Sequence, residues 1–114
     1  MTSDDHSERR EAPRRALRRP AWFLLPGVRR LEVRTLDISA GGLAVVAPAN
    51  PPVGMACTIR LTIPTRNSSA EVIEPRVKVM QSLWSTADEG FKVGLRFQDL
   101  SSAHARLIRD YMDN

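Results

Sequence analysis

The chain has 114 residues, 42% of them hydrophobic and 26% charged, with a formal net charge of +4. That is room for one domain with a modest core, and it argues against wholesale disorder. The single cysteine, Cys57, permits no internal disulfide and no metal cage, and no apolar run approaches the roughly 20 residues that span a bilayer.

Residues 1–7 are polar and aperiodic and read as a flexible tail. Because the first twenty residues are charged rather than apolar, no secretory signal is read and the default location is the cytoplasm. Between residues 9 and 34 stand nine arginines and no lysine, opposed only by Glu11 and Glu32, whereas residues 35–114 are balanced. Arginine offers a planar fork that pairs bidentately with phosphates and guanine edges, so this leader is either a solvated basic arm or part of an anion site.

From Ala16 the pattern turns extended. A run through Ala21-Trp22-Phe23-Leu24-Leu25 meets Pro26-Gly27, suited to the centre of a type II turn, and a second run starts at Leu31. Pro20 argues for an edge strand or a bulge, and Trp22 and Phe23 are expected inside. In the second run the apolar positions switch from odd (Leu31, Val33) to even (Leu36, Ile38), the mark of a bulge. Cleaner alternation follows in Cys57–Ile63, in Val77 and Val79, and in Phe91–Phe97. Ser101 or Ser102 can cap a terminal helix in which Leu107 and Tyr111, and Ile108 and Met112, fall four apart. About six strands and a short helix favour a closed or sandwich-like β fold.

Catalysis has little to work with. His6 and His104 sit in no metal-ligand spacing, and Ser39 lacks both a neighbouring histidine and a nucleophile elbow. No enzyme, metal or cofactor is expected. The informative stretch is Asp37-Ile38-Ser39-Ala40-Gly41-Gly42, between two predicted strands. Taken alone it is what any tight turn uses: side-chain oxygens bonding the backbone, and glycines at positive φ. A turn at Pro26-Gly27, however, pairs Asp37 with Ala16 and Ser39 with Arg14. One ligand could then touch both segments. Acid, hydroxyl and arginine forks around one surface suit an anion that also carries N–H donors, a description a guanine nucleotide meets.

The leader Glu8-Arg9-Arg10-Glu11-Ala12-Pro13-Arg14 resembles the Arg-x-x-x-Arg motif of bacterial PilZ domains, and Asp37-x-Ser39-x-x-Gly42 resembles their Asp/Asn-x-Ser-x-x-Gly motif. Of four Arg-x-x-x-Arg registers (Arg10/Arg14, Arg14/Arg18, Arg15/Arg19, Arg30/Arg34), only the first has the leading Glu-Arg-Arg and the family spacing to Asp37. The resemblance spans about residues 8–112. It implies an all-β fold, a six-stranded antiparallel split β-barrel with a C-terminal α-helix, laid out as arginine motif 8–15, barrel about 16–98 and helix about 102–112 within a domain of residues 8–114. It also implies a receptor for the second messenger cyclic di-GMP, held by Arg9, Arg10, Arg14, Asp37, Ser39 and Gly42, with Gly42 serving backbone geometry. Arg9 is equally readable as a solvated tail residue. Trp84 either packs in the core, as tryptophans of small domains do, or stacks on a guanine at the rim.

The expected mechanism is ordering of the arginine arm on ligand binding, with signalling through an unknown partner protein, since no output domain is read. Two other readings stand beside it. A PilZ-fold interaction protein with a degenerate site, a motility or pilus-assembly adaptor, is suggested by Glu11 inside the arginine motif. A nucleic-acid binder would use the basic arm, but the chain is only 5% aromatic and lacks the row of exposed rings on which single strands stack. Specific DNA or RNA binding and membrane insertion are therefore not expected.

Overall fold

The computed structural model describes residues 13–27 and 30–114. Within them eight strands precede one helix: β1 (Arg14–Ala16), β2 (Pro20–Leu24), β3 (Arg30–Ser39), β4 (Gly42–Ala47), β5 (Ala56–Pro64), β6 (Ala70–Ile73), β7 (Arg76–Ser85), β8 (Gly90–Gln98) and α1 (Ser102–Asp113). Six of them close an antiparallel barrel in the order β3-β2-β5-β7-β8-β4, with β4 pairing back onto β3. This is the expected barrel and terminal helix with two strands added. β1 lies outside the ring beside the end of β3, and β6 lengthens the pairing along β5. Leu61 pairs with Ile73 and Cys57 with Val77, one common register, so β6 and β7 are a single run interrupted at Glu74-Pro75. A proline has no N–H to give the ladder.

Alternation fills the barrel. Cys57, Ile59, Leu61 and Ile63 of β5, Val77 and Val79 of β7, and Val93 and Leu95 of β8 are all buried, and Ile108 and Tyr111 of α1 join the same core. Ser101 caps α1, its hydroxyl accepting from the His104 N–H at 3.1 Å. Two aromatic expectations are corrected. Trp22 is half-buried, because it alternates with the buried Ala21 and Phe23 and so falls on the barrel's outer face. Trp84 is 58% exposed rather than core; it meets the half-buried Phe91 edge to face, with ring centroids 5.2 Å apart.

The change of face in β3 is a bulge. The β3–β4 register slips between Thr35 and Asp37, and Leu36 joins Ala44 and Val46 in a small cluster separate from the main core. Thr35 itself is buried. Its hydroxyl donates to the Leu17 carbonyl and accepts from the Arg19 N–H, pinning the three residues that separate β1 from β2. Pro20 follows as the first residue of β2, which pairs on both sides, so it marks a strand start and not an edge.

Candidate functional site

The first hairpin sets the site. Pro20 pairs with Arg34 and Leu24 with Arg30, so the hairpin centres on Gly27, half a residue beyond the Pro26-Gly27 midpoint. Gly27 has φ +64°, as the turn requires. Leu17–Arg19 then supply three residues opposite Thr35 and Leu36, and this extra residue shifts the register back. Arg14 therefore stands opposite Ser39 and Ala16 opposite Asp37, the pairing the sequence predicts.

Ile38 is fully buried, so its neighbours Asp37 and Ser39 belong to the outer face, as does Arg14. The Arg14 Nη1 lies 3.5 Å from Asp37 Oδ1, with the two side chains 50% and 30% exposed. This is a charge contact, longer than an ordinary N–H···O hydrogen bond. Oδ1 is itself shielded from solvent and accepts no hydrogen bond among the described residues. A buried carboxylate oxygen without a donor is a standing cost, and an incoming N–H would relieve it.

Ser39 bonds the backbone of its own turn, the part that a serine in any tight connection plays. It is buried, its Oγ 3.3 Å from both the Gly41 N–H it accepts from and the Gly42 carbonyl it donates to. It braces the turn. The glycines are there for another reason than positive φ, which neither Gly41 nor Gly42 adopts. A Cβ on Gly42 would collide with the Leu95 carbonyl of β8, so β4 and β8 can pair here only over a bare Cα. Gly41 has open space around it, and its carbonyl accepts from the Phe97 N–H at 2.9 Å.

Over this turn lies an open recess of about 620 Å³. Arg14, Ser39, Gly41 and Gly42 form one side, and Arg96, Gly94, Gln81 and Met80 form the other. The second side belongs to β7 and β8 and was missed in the sequence. Gly94, a glycine in mid-strand, was the available signal, since such a residue marks close approach by a backbone or a ligand. Gln81 lies directly across from it.

Trp84 is not part of this recess. It pairs with Phe91, which pairs with Ala47, at the opposite end of β4 from Gly42. Arg9, Arg10 and Glu11 lie outside the described residues, as does the tail 1–7. The competing arginine registers are otherwise engaged. Arg15 turns to the helix, donating from Nη1 to the Tyr111 carbonyl and covering its ring. Arg18, Arg19 and Arg34 line a separate recess of about 460 Å³ together with Glu32, Asp88 and Glu89. Among the described residues no cluster of histidine, cysteine or acidic side chains is arranged to hold a metal, and no helix is long and apolar enough to cross a membrane.

Comparison with known proteins gives the family and the fold. The family model described as the PilZ domain matches residues 8–114. No curated protein matches the chain. Solved structures do. The Bacillus subtilis inhibitor of motility, MotI/DgrA, superposes with a TM-score of 0.79 at 17% identity over 90% of this chain and 49% of that one. The PilZ domain of Escherichia coli YcgR with c-di-GMP gives 0.67 at 16% identity, covering 92% of this chain and 89% of that one. YcgR in complex with c-di-GMP gives 0.67 at 18% identity, covering 89% and 43%. At these identities the likeness establishes the fold, and the chain spans about half the length of MotI and less than half of the longer YcgR chain.

Proposed function

The chain belongs to the PilZ domain family, a family of regulatory receptors and adaptors, and on that premise we propose that it is a receptor for cyclic di-GMP. One juxtaposition carries the reading: Arg14 stands over Asp37, whose Oδ1 is buried without a hydrogen bond, beside an open recess floored by glycine. The arginine fork suits a phosphate or the O6 and N7 of guanine, and the waiting carboxylate oxygen suits the N1–H and N2–H of the same base. Few other small anions offer both. The YcgR structures, which hold c-di-GMP on the same fold, lend support.

In this reading the residues have distinct roles. Arg14 pairs with phosphate or guanine, Asp37 accepts from the base, Ser39 holds the turn in shape, and Gly42 keeps the floor low. Arg9 and Arg10 close onto the phosphates, so binding neutralises part of the arginine leader and changes the surface that a partner protein meets. Signalling passes through that partner. A calorimetric titration with cyclic di-GMP, with GTP as control, tests the proposal: saturable binding of the first and none of the second is expected, and an absence of heat with either would overturn it.

A second reading is a PilZ-fold motility adaptor that binds no nucleotide. Glu11, a negative charge inside the arginine motif, favours it, and so does the fold shared with an inhibitor of motility. The same titration separates the two.

A further inference from the structure

The wall of the recess facing Arg14 carries an arrangement with no structural reason of its own. Arg96 on β8 pairs directly with Lys78 on β7 and with Gly42 on β4. Both cations are exposed, and among the described residues no carboxylate lies in ion-pair contact with either. Like charges directly opposite one another on a sheet face repel, so the pairing weakens the barrel unless an anion sits over it. Next along the strands, Gly94 presents no side chain, and the Gln81 side chain packs over its Cα. The recess thus has two polar ends. Arg14, in contact with Asp37, forms one, and Arg96 with Gln81 forms the other, across the bare Gly41-Gly42 floor, with Lys78 beside Arg96 on the neighbouring strand.

The strand order β1-β3-β4-β8 separates the two arginines by three inter-strand steps, at most about 14 Å across the sheet. A ligand made of two identical halves offers the same phosphate and guanine to both ends. Resting on the cyclic di-GMP reading above, we propose that Arg96 is a ligand-binding and specificity residue: it grips the second guanine-phosphate half through its fork, Lys78 adds charge, and the Gln81 amide hydrogen-bonds the base. The pocket then reads both guanines, and one half of the ligand alone does not satisfy it.

The test compares cyclic di-GMP with cyclic GMP–AMP, in which one guanine is replaced by adenine, against the wild type, Arg96→Ala, Arg96→Lys and Arg14→Ala, with thermal melts as folding controls. Wild type should prefer cyclic di-GMP by roughly tenfold, the worth of one bidentate guanine contact. Arg96→Ala should lose about that factor for cyclic di-GMP and bring the two ligands close to equal. Arg96→Lys, which keeps the charge but not the fork, should lose the preference while retaining more of the affinity. Arg14→Ala should weaken both ligands. If Arg96→Ala binds cyclic di-GMP as tightly as wild type, or keeps the wild-type preference, this inference falls while the receptor reading stands. If wild type binds neither ligand, the receptor reading itself falls.

Discussion

Arg15 and Tyr111, 96 residues apart, clamp the arginine-bearing strand to the terminal helix. The Arg15 guanidinium lies 4.2 Å from the Tyr111 ring centroid and donates to that residue's carbonyl, while the Tyr111 hydroxyl donates to the Ala16 carbonyl at 2.7 Å. Arg14 and Arg15 are neighbours on a strand, so they point to opposite faces. One serves the recess and the other fixes the strand. The position of Arg14 in the recess is therefore tied to the seating of α1.

Tyr111→Phe removes only the hydroxyl and should lower unfolding free energy by about 1 kcal/mol, read from urea melts. Arg15→Ala removes the carbonyl bond and the cation–π contact together and should be the larger loss. Arg14→Ala, which gives up only a half-exposed charge pair, should melt close to wild type. Equal melting of the Arg14 and Arg15 variants would contradict the division of labour.

The two glycines of the turn should part company. Gly42→Ala drives a Cβ into the Leu95 carbonyl, which β8 cannot withdraw without breaking its pairing with β4, so a loss of several kcal/mol or failure to fold is expected. Gly41→Ala has open space and an ordinary φ and should change stability by less than about 1 kcal/mol. Circular dichroism melts of the pair decide it.

Asp37→Asn keeps the shape of the side chain but replaces one acceptor oxygen with a donor. Cyclic di-GMP affinity should fall at least about tenfold, since the guanine N–H groups then face an N–H, while stability should change by less than about 1 kcal/mol, because only the part-exposed ion pair with Arg14 is given up. Arg14→Ala should weaken binding at least as much. Titration calorimetry on both, with unfolding curves alongside, reads the two effects separately.

Trp84→Ala should leave ligand affinity unchanged. Its partner Phe91 lies five residues along β8 from Arg96, about 17 Å away. A tenfold loss on this substitution would mean that the ligand reaches well beyond the recess described.

Burial pushes the Cys57 thiol up, because the neutral form is favoured in the barrel core. The unfolded thiol ionises at the ordinary value and the folded one only above it, so the stabilisation is complete below the ordinary thiol range and is lost as pH rises through it toward the raised value. Wild type should therefore lose stability between neutral and alkaline pH more steeply than Cys57→Ala, whose packing deficit does not change with pH. Parallel slopes in melts from pH 7 upward would reject this.

Much of the molecule was legible before the structure. Period-two alternation set β5, β7 and β8, the odd-to-even switch set the bulge at Leu36, and the Ser101-Ser102 pair set the helix start, with Ser101 the cap of the two. These signals are local, since a strand or a cap is specified by residues within a few positions of one another. The Arg14–Ser39 pairing was legible for a subtler reason. The real hairpin centre and the extra residue at Leu17–Arg19 err in opposite directions, and the two offsets cancel.

What the sequence by itself determined was a barrel with a helix, and a motif pair on its first hairpin. Only the tertiary structure decided which side chains complete the recess, that Ser39 is buried against its own turn, that Arg15 packs on the helix and that Trp84 stands apart. The reason is that β4, β7 and β8 meet through closure of the barrel, and Tyr111 reaches β1 from the far end of the chain. Contacts between residues tens of positions apart are chosen by how the whole sheet closes, which no local periodicity encodes.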